Sequence, residues 1–418
     1  MFVLARGYLL WKCPNGVALY LKTSHSPTPV SGDLLGEMFI VFLLVLLAPL
    51  LSGPLRVPVI VVETLLGILL GPSFLGLLGD SHWLSAMALI GFIYLMFMVG
   101  LEIEIDVLKE EFTRTLAIAL ASFAAPFILG CLAAVYYGLP PEFIGVALST
   151  TSMGVVLPTV RELPQKARVR QVLLGAAVLV DVISMLALAY VIEEKSPTLH
   201  GLVLLSSAAL TLAVAVMILK RWMPANARLS ALVEAYHLDV RLCIALIFGF
   251  AVLAEVIGVH AIIGSFLVGL VIAELRGRAG LLLDKLLSFG YGFFIPVFFI
   301  AVGVKTDIWL VIGSVEGLEI MLSLLLAGFA GKLLGTYYTS RLLGFSRHES
   351  LSMGFAMSAR LSLIIAAAEI GLTIGVIGAE IYSILILLAI ISVVLSPTLA
   401  KAFIGRGVVK VPEETPIP

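Results

Sequence analysis

Long apolar runs, separated by short breaks that hold almost all of the charge, constrain this chain more than any other feature. A bilayer core satisfies no backbone group, so each crossing needs a helix of about 20 mainly apolar residues. Thirteen runs qualify, at residues 36–52, 57–73, 84–103, 115–137, 142–160, 171–192, 201–219, 242–258, 260–275, 287–304, 315–340, 349–371 and 378–403. The runs at 57–73 and 260–275 are short and read as tilted or partly interfacial. The expected fold is an all-α polytopic membrane protein with about thirteen transmembrane helices across residues 36–405. An N-terminal tail at 1–35 precedes it, and a short cytoplasmic tail at 406–418 follows. The tail at 1–35 has apolar stretches too short and too interrupted for a signal peptide. It reads as a disordered extracellular segment or as a start set too early, since Met38 opens the first run.

Composition excludes several functions. Charged residues make up 13% of the chain, against about a quarter in a soluble domain, which argues against a soluble enzyme. A net charge of −1 offers no basic face to nucleic acid. Cys13, Cys131 and Cys243 form no CxxC, and the six histidines form no HxxxH pair, so neither a zinc site nor another cofactor is expected. An intramembrane hydrolase lacks a paired-aspartate or Ser/His arrangement, and no run resembles a carbonyl filter of a channel.

Basic residues are distributed unevenly among the breaks. One alternating set of loops holds 19 Lys and Arg, the opposite set with the N-terminal tail holds 5, and Lys332 and Arg360 lie inside apolar runs. Because basic loops stay in the cytoplasm, the N-terminus is expected outside and the C-terminus inside a cell membrane, which requires an odd number of spans.

Two short matches recur at nearly one offset. LLGILL (65–70) aligns with LVGLVI (267–272), pairing Gly67 with Gly269, and MFMVGLE (96–102) aligns with FIAVGVK (299–305), pairing Gly100 with Gly303. Spans 1–6 then map onto spans 8–13, and the shift by seven spans inverts their topology. Transporters built from inverted repeats place substrate near the midplane beside discontinuous helices in corresponding positions, here spans 5 and 12.

Both spans carry the residues such a break needs. Span 5 holds Ser149, Thr150, Thr151, Ser152, Gly154 and Pro158; span 12 holds Gly354, Ser358, Arg360, Ser362 and Glu369. Hydroxyls satisfy backbone groups freed by unwinding, and Pro removes a donor. The plainer alternative is close helix packing through small residues. Between 171 and 190 the one charge is Asp181. An intramembrane carboxylate should face protein or water beside a partner, and Lys332 is the available cation. Burial disfavours ionised Asp181 while Lys332 favours it, so Asp181 can exchange a proton for a cation; simple charge pairing of two helices is the other reading. Arg360 reads as balancing helix-end carbonyls or a carboxylate. Glu63 and Glu255 read equally as local or interfacial charges or as groups that touch an ion, and Glu369 as a snorkelling one.

VPVIVVETLLGILLGPSFLGLL (57–78), FMVGLEIEIDVLK (97–109), TTSMGVVLPTVREL (150–163), HAIIGSFLVGLVIAE (260–274), FFIPVFFIAVGVKTDI (293–308) and GKLLGTYYTSRLLGFSRHESLSMGFAMSAR (331–360) together resemble the cation:proton antiporter superfamily, in its sodium/hydrogen exchanger and Kef-like branch. The resemblance implies a homodimer, each protomer having a dimerisation domain and a core whose two broken helices cross at the ion site. It implies exchange of Na+ or K+ for H+ by an elevator-like movement of the core. Asp181 matches the family's ion- and proton-binding aspartate, the ligand for Na+ or K+. Lys332 matches its core lysine, and Thr151 and Ser152 match its first unwound stretch. Arg360, Ser358 and Ser362 are expected in support. Two positions depart from the pattern: Val180 stands where Asp, Asn or Gln is common, and Arg360-Leu361-Ser362 stands where Arg-Gly-Glu is frequent. These departures motivate an alternative, a transport-inactive membrane sensor or structural protein retaining the fold.

Overall fold

The computed structural model describes residues 2–5, 8–12, 18–22, 32–55, 57–79, 81–101, 111–162, 167–192, 236–256, 261–273 and 280–404. The run expected at 201–219, the tail at 406–418 and several charged loops lie outside these residues. The chain divides into Met1–Leu43 and Leu44–Pro418. In the first unit β1 (Phe2–Ala5), β2 (Tyr8–Lys12) and β3 (Ala18–Lys22) form an antiparallel sheet in that order, with Phe2 opposite Trp11 and Tyr8 opposite Lys22. Regular structure was not expected here. The overlooked signal is the strand-forming residues of FVLA, YLLWK and ALYLK.

From α1 (Gly32–Leu55) onward every described element is helical. In order follow α2 (Val59–Leu70), α3 (His82–Leu101), α4 (Phe112–Tyr136), α5 (Pro141–Ser149), α6 (Met153–Glu162), α7 (Ala167–Ile192), α8 (Leu238–Val256) and α9 (Ala261–Ala273). Then come α10 (Gly280–Phe289), α11 (Ile295–Lys305), α12 (Ile308–Ile312), α13 (Val315–Leu342), α14 (Arg347–Met357), α15 (Ser362–Thr373) and α16 (Ala379–Ile404). A π turn at Gly290–Phe294 joins α10 to α11. Each expected run other than 201–219 carries a helix, and among the described residues 8 stretches are long and apolar enough to cross a membrane. The protein is a multi-pass membrane protein. The runs at 142–160 and 349–371 are each two helices, parted at Thr150–Ser152 and Ser358–Leu361.

Helix α13 displays the polarity a bilayer selects. It exposes Leu322, Leu326, Leu334 and Tyr338 and buries Gly328, Lys332, Thr336 and Ser340. A helix in water would invert this arrangement, because there apolar burial drives folding.

The helices sort into two bundles that pack closely within themselves and sparsely against each other: α2, α3 and α8–α11 form one, α4–α7 and α12–α16 the other. Membrane helices associate through tight van der Waals packing at small residues. In the first bundle, a Cβ on Gly67 would lie 2.2 Å from Ile300 O, and one on Gly303 2.1 Å from Thr64 O. A Cβ on Gly100 would lie 2.2 Å from Phe266 O, and one on Gly269 2.0 Å from Phe97 O. The obstructing atoms are backbone, which cannot swing aside. Gly303→Ala should therefore force α2 from α11 and cost about 1–3 kcal/mol, read as a lower melting temperature in detergent. Gly249→Ala, with nothing within 4 Å of the new Cβ, should not lower it; equal melting of the two variants would refute the packing assignment.

Candidate ion site

Hydroxyl chemistry ends α5. Ser149 Oγ lies 2.7 Å from Gly145 O and 3.0 Å from Phe123 O, and Thr150 Oγ1 donates to Ala147 O at 2.9 Å. Side chains that bond backward in this way satisfy carbonyls the next helical turn would otherwise use. The chain then runs through Thr151 and Ser152, and the helix restarts with Val155 N and Val156 N donating to Ser152 O. The second break has the same logic. Ser358 caps α14 and donates to Gly354 O at 2.8 Å, and Leu361 adopts φ −144°, ψ −81° before α15 starts at Ser362.

Arg360 ties the two breaks together. Fully buried, it donates from Nε to Leu148 O in the last turn of α5 at 2.7 Å. It also donates to Ser358 O at 3.2 Å and to Gly328 O on α13 at 2.5 Å. Helix C-termini carry partial negative charge on unpaired carbonyls, and the guanidinium fork supplies several donors in fixed geometry. The backbone of Arg360 is held at both ends by Ser392 of α16, whose hydroxyl receives from Arg360 N at 3.1 Å and lies 2.9 Å from Arg360 O. Ser392 had no distinguishing sequence signal, being a lone hydroxyl in an apolar run. Gly328 has one only in retrospect: a Cβ there would lie 3.1 Å from the guanidinium.

Lys332 enters the same space from α13. Its fully buried ammonium donates to Thr151 Oγ1 at 2.7 Å, and that hydroxyl lies 3.5 Å from Met357 O at the end of α14. A single threonine thus touches the lysine and both broken helices. Asp181 is buried on α7, the helix that packs against all four half-helices α5, α6, α14 and α15. Arg360 and Asp181 are the charged groups acting on Lys332.

The other expected residues fall around this centre. Ser152 is buried at the first break, while Ser362 is half-buried as the first residue of α15. Val180 lies in an apolar cluster with Val156 of α6 and Met353, Ala356 and Met357 of α14, so it fills space rather than facing a ligand. Glu63 is buried on α2 in the other bundle, and Glu255 is exposed near the end of α8. Glu369 has a partner: its Oε1 pairs with Lys305 Nζ at 2.5 Å. Nothing local in the sequence pairs the two, because Lys305 reads as a loop charge 64 residues away.

The family described as sodium/hydrogen exchanger, transmembrane, matches residues 41–403. A relative named a probable Na+/H+ antiporter 3, from Methanocaldococcus jannaschii, is 31% identical over 378 residues, covering 87% of this chain and 95% of its own. The Na+/H+-K+ antiporter GerN of Bacillus cereus is 26% identical, covering 88% of this chain and 97% of its own. Both names denote transporters, not enzymes. The solved sodium proton antiporter MjNhaP1 of Methanocaldococcus jannaschii superposes with a TM-score of 0.66 at 16% identity, covering 90% of this chain and 99% of that one, a likeness of fold. With the match running through nearly all the helical chain and a 31% identical relative covered almost end to end, this protein belongs to the sodium/hydrogen exchanger family of the cation:proton antiporter superfamily.

Proposed function

We propose that this protein exchanges a monovalent cation, Na+ or K+, for protons, with the two competing for Asp181. The convergence of Lys332, Thr151 and Arg360 on two broken helices, beside a buried carboxylate on the helix that touches all four halves, carries this reading. The cycle balances simply. Protonated Asp181 is neutral; releasing its proton to one side leaves a carboxylate that takes up one cation from that same side, and on the other side the carboxylate releases the cation and takes up a proton there, which restores the acid. Lys332, held by Thr151, offsets negative charge when Asp181 is empty and ionised. Relatives named for Na+/H+ exchange, and one for Na+/H+-K+ exchange, agree with this chemistry.

The glycine contacts support a thirteen-span inverted repeat. If Gly67 corresponds to Gly269 and Gly100 to Gly303, exchanging the halves converts the α2–α11 contact at Gly67 and Gly303 into the α9–α3 contact at Gly269 and Gly100. Such an exchange is what a pseudo-twofold axis produces. Elevator-like movement of the bundle carrying the breaks fits the sparse packing between bundles, and the other bundle is the dimerisation domain in this reading. A cytoplasmic C-terminus fits Glu111 bridging Arg114 and Arg168, at 2.7 Å each, two basic residues counted in one set of loops.

In proteoliposomes, an imposed Na+ or K+ gradient should drive proton movement, with K+, Li+ and clamped potential settling selectivity and stoichiometry. Proton flux indifferent to every cation would overturn antiport. Thr151→Val should raise the apparent KM at least tenfold. Freed of its acceptor, Lys332 competes with the cation for Asp181, and a hydrogen bond to a charged group is worth about 1.5–3 kcal/mol, where 1.4 kcal/mol is a factor of ten. An unchanged KM would remove Thr151 from the site.

A further inference from the structure

The two bundles are bridged by side chains at the end where α11 finishes. Lys305, the last residue of α11, pairs with Glu369 of α15 at 2.5 Å. The other oxygen of Glu369 lies 3.2 Å from Tyr382 OH on α16, and the same hydroxyl is 3.2 Å from Val302 O on α11. Two residues beyond Lys305, Asp307, the N-cap of α12, donates from its N to Ser383 Oγ on α16 at 2.9 Å, a bond within the bundle that carries the breaks. Trp309 Nε1 on α12 donates to Ser73 O, just beyond α2, at 2.7 Å. Every partner on one side of these bridges belongs to the bundle that carries Asp181, Lys332 and Arg360.

We propose that Lys305 and Glu369 are positioning residues of the exchange cycle: their ion pair, braced by Tyr382, pins the bundles at this end in one access state and opens in the other. This rests on the reading that one bundle moves against the other. Three features distinguish the pair from an ordinary surface bridge. Its side chains are only 21% and 14% exposed, so water screens it less than the exposed pairs that contribute almost nothing. It crosses an interface that is otherwise sparsely packed, where a few polar bonds are a large share of what resists sliding. It is also short-ranged in geometry, since a displacement of one helical turn, about 5.4 Å, separates the charges beyond hydrogen-bonding distance. By contrast, the bond between Tyr137 OH and Ser323 Oγ, 2.8 Å long and also linking two helices, lies wholly within the moving bundle. It should ride through the cycle intact.

The test begins with a chain whose Cys13, Cys131 and Cys243 are replaced and whose exchange is verified. Lys305→Cys with Glu369→Cys is then bridged by a short bifunctional thiol reagent that reductant removes. Bridging should lower cation-driven proton flux at least tenfold, with recovery on reduction. The within-bundle control, Tyr137→Cys with Ser323→Cys, should keep its flux when bridged. Full flux through a bridged 305–369 pair overturns the proposal. A second measurement needs no transport. In Glu369→Gln, hydrogen exchange over 302–309 and 366–383 should rise together at least tenfold, and unchanged protection overturns the pin independently. A parent chain with Lys305 and Glu369 intact that moves no protons with any cation instead defeats the antiport reading, leaving the pin to be judged by hydrogen exchange.

Discussion

Asp181→Asn should reduce cation-driven proton flux to the level of empty liposomes for Na+, K+ and Li+ alike, while the protein extracts and melts as well as the parent. The amide has nearly the shape of the acid but neither releases a proton nor carries the charge that holds a cation. With Val180 packed in an apolar cluster, no neighbouring side chain at 180 substitutes. Stability should hold, because the desolvation penalty that the neutral amide removes offsets the charge pairing lost to Lys332, which keeps its bond to Thr151. Glu63→Gln is the matched control, since Glu63 is equally buried but belongs to the other bundle. It should retain exchange. Full flux in Asp181→Asn, or loss in both variants with normal melting in each, would move the coupling carboxylate elsewhere.

Arg360→Leu should produce the largest loss of stability of any single change in the core. It strands the carbonyls of Leu148 and Ser358 at the two breaks, each an unsatisfied buried acceptor worth about 1–3 kcal/mol, and removes the tie to Gly328 O inside α13. A destabilisation of about 2–6 kcal/mol follows, enough to lower yield and thermal stability sharply. Arg360→Lys should fall between, keeping the charge but losing the fork that reaches α5, α13 and the second break together. Thermal unfolding in detergent, with and without lipid, measures all three proteins. If Arg360→Leu melts with the parent, the guanidinium does not hold the breaks together.

The positions of the breaks were legible because hydroxyl clusters are rare in apolar runs. Ser149 to Ser152, and Ser358 to Ser362, interrupt stretches that are otherwise aliphatic, and the same hydroxyls bond the freed carbonyls. Asp181 was legible because a membrane tolerates few charges. Partners were not. Lys332 reads as the available cation for Asp181, and Asp181 does act on its charge, but its hydrogen bond to Thr151 has no sequence signal. Glu369 had been assigned to the interface, yet it meets Lys305 across the bundle boundary. The N-terminal strands were missed because short apolar stretches between polar residues were weighed only as failed membrane signals.

What the sequence determined by itself is the local part: which segments enter the bilayer, where two of them break, and which buried charges require an explanation. A helix in lipid satisfies its own backbone, so these properties depend on a few consecutive residues. Which groups then face one another was decided by tertiary packing. Leu148 and Arg360, or Lys305 and Glu369, are far apart in the chain, and they meet only because particular helices cross at particular heights. Close approach of backbones at glycine sets those heights, and a steric fit between two helices is written in neither one alone.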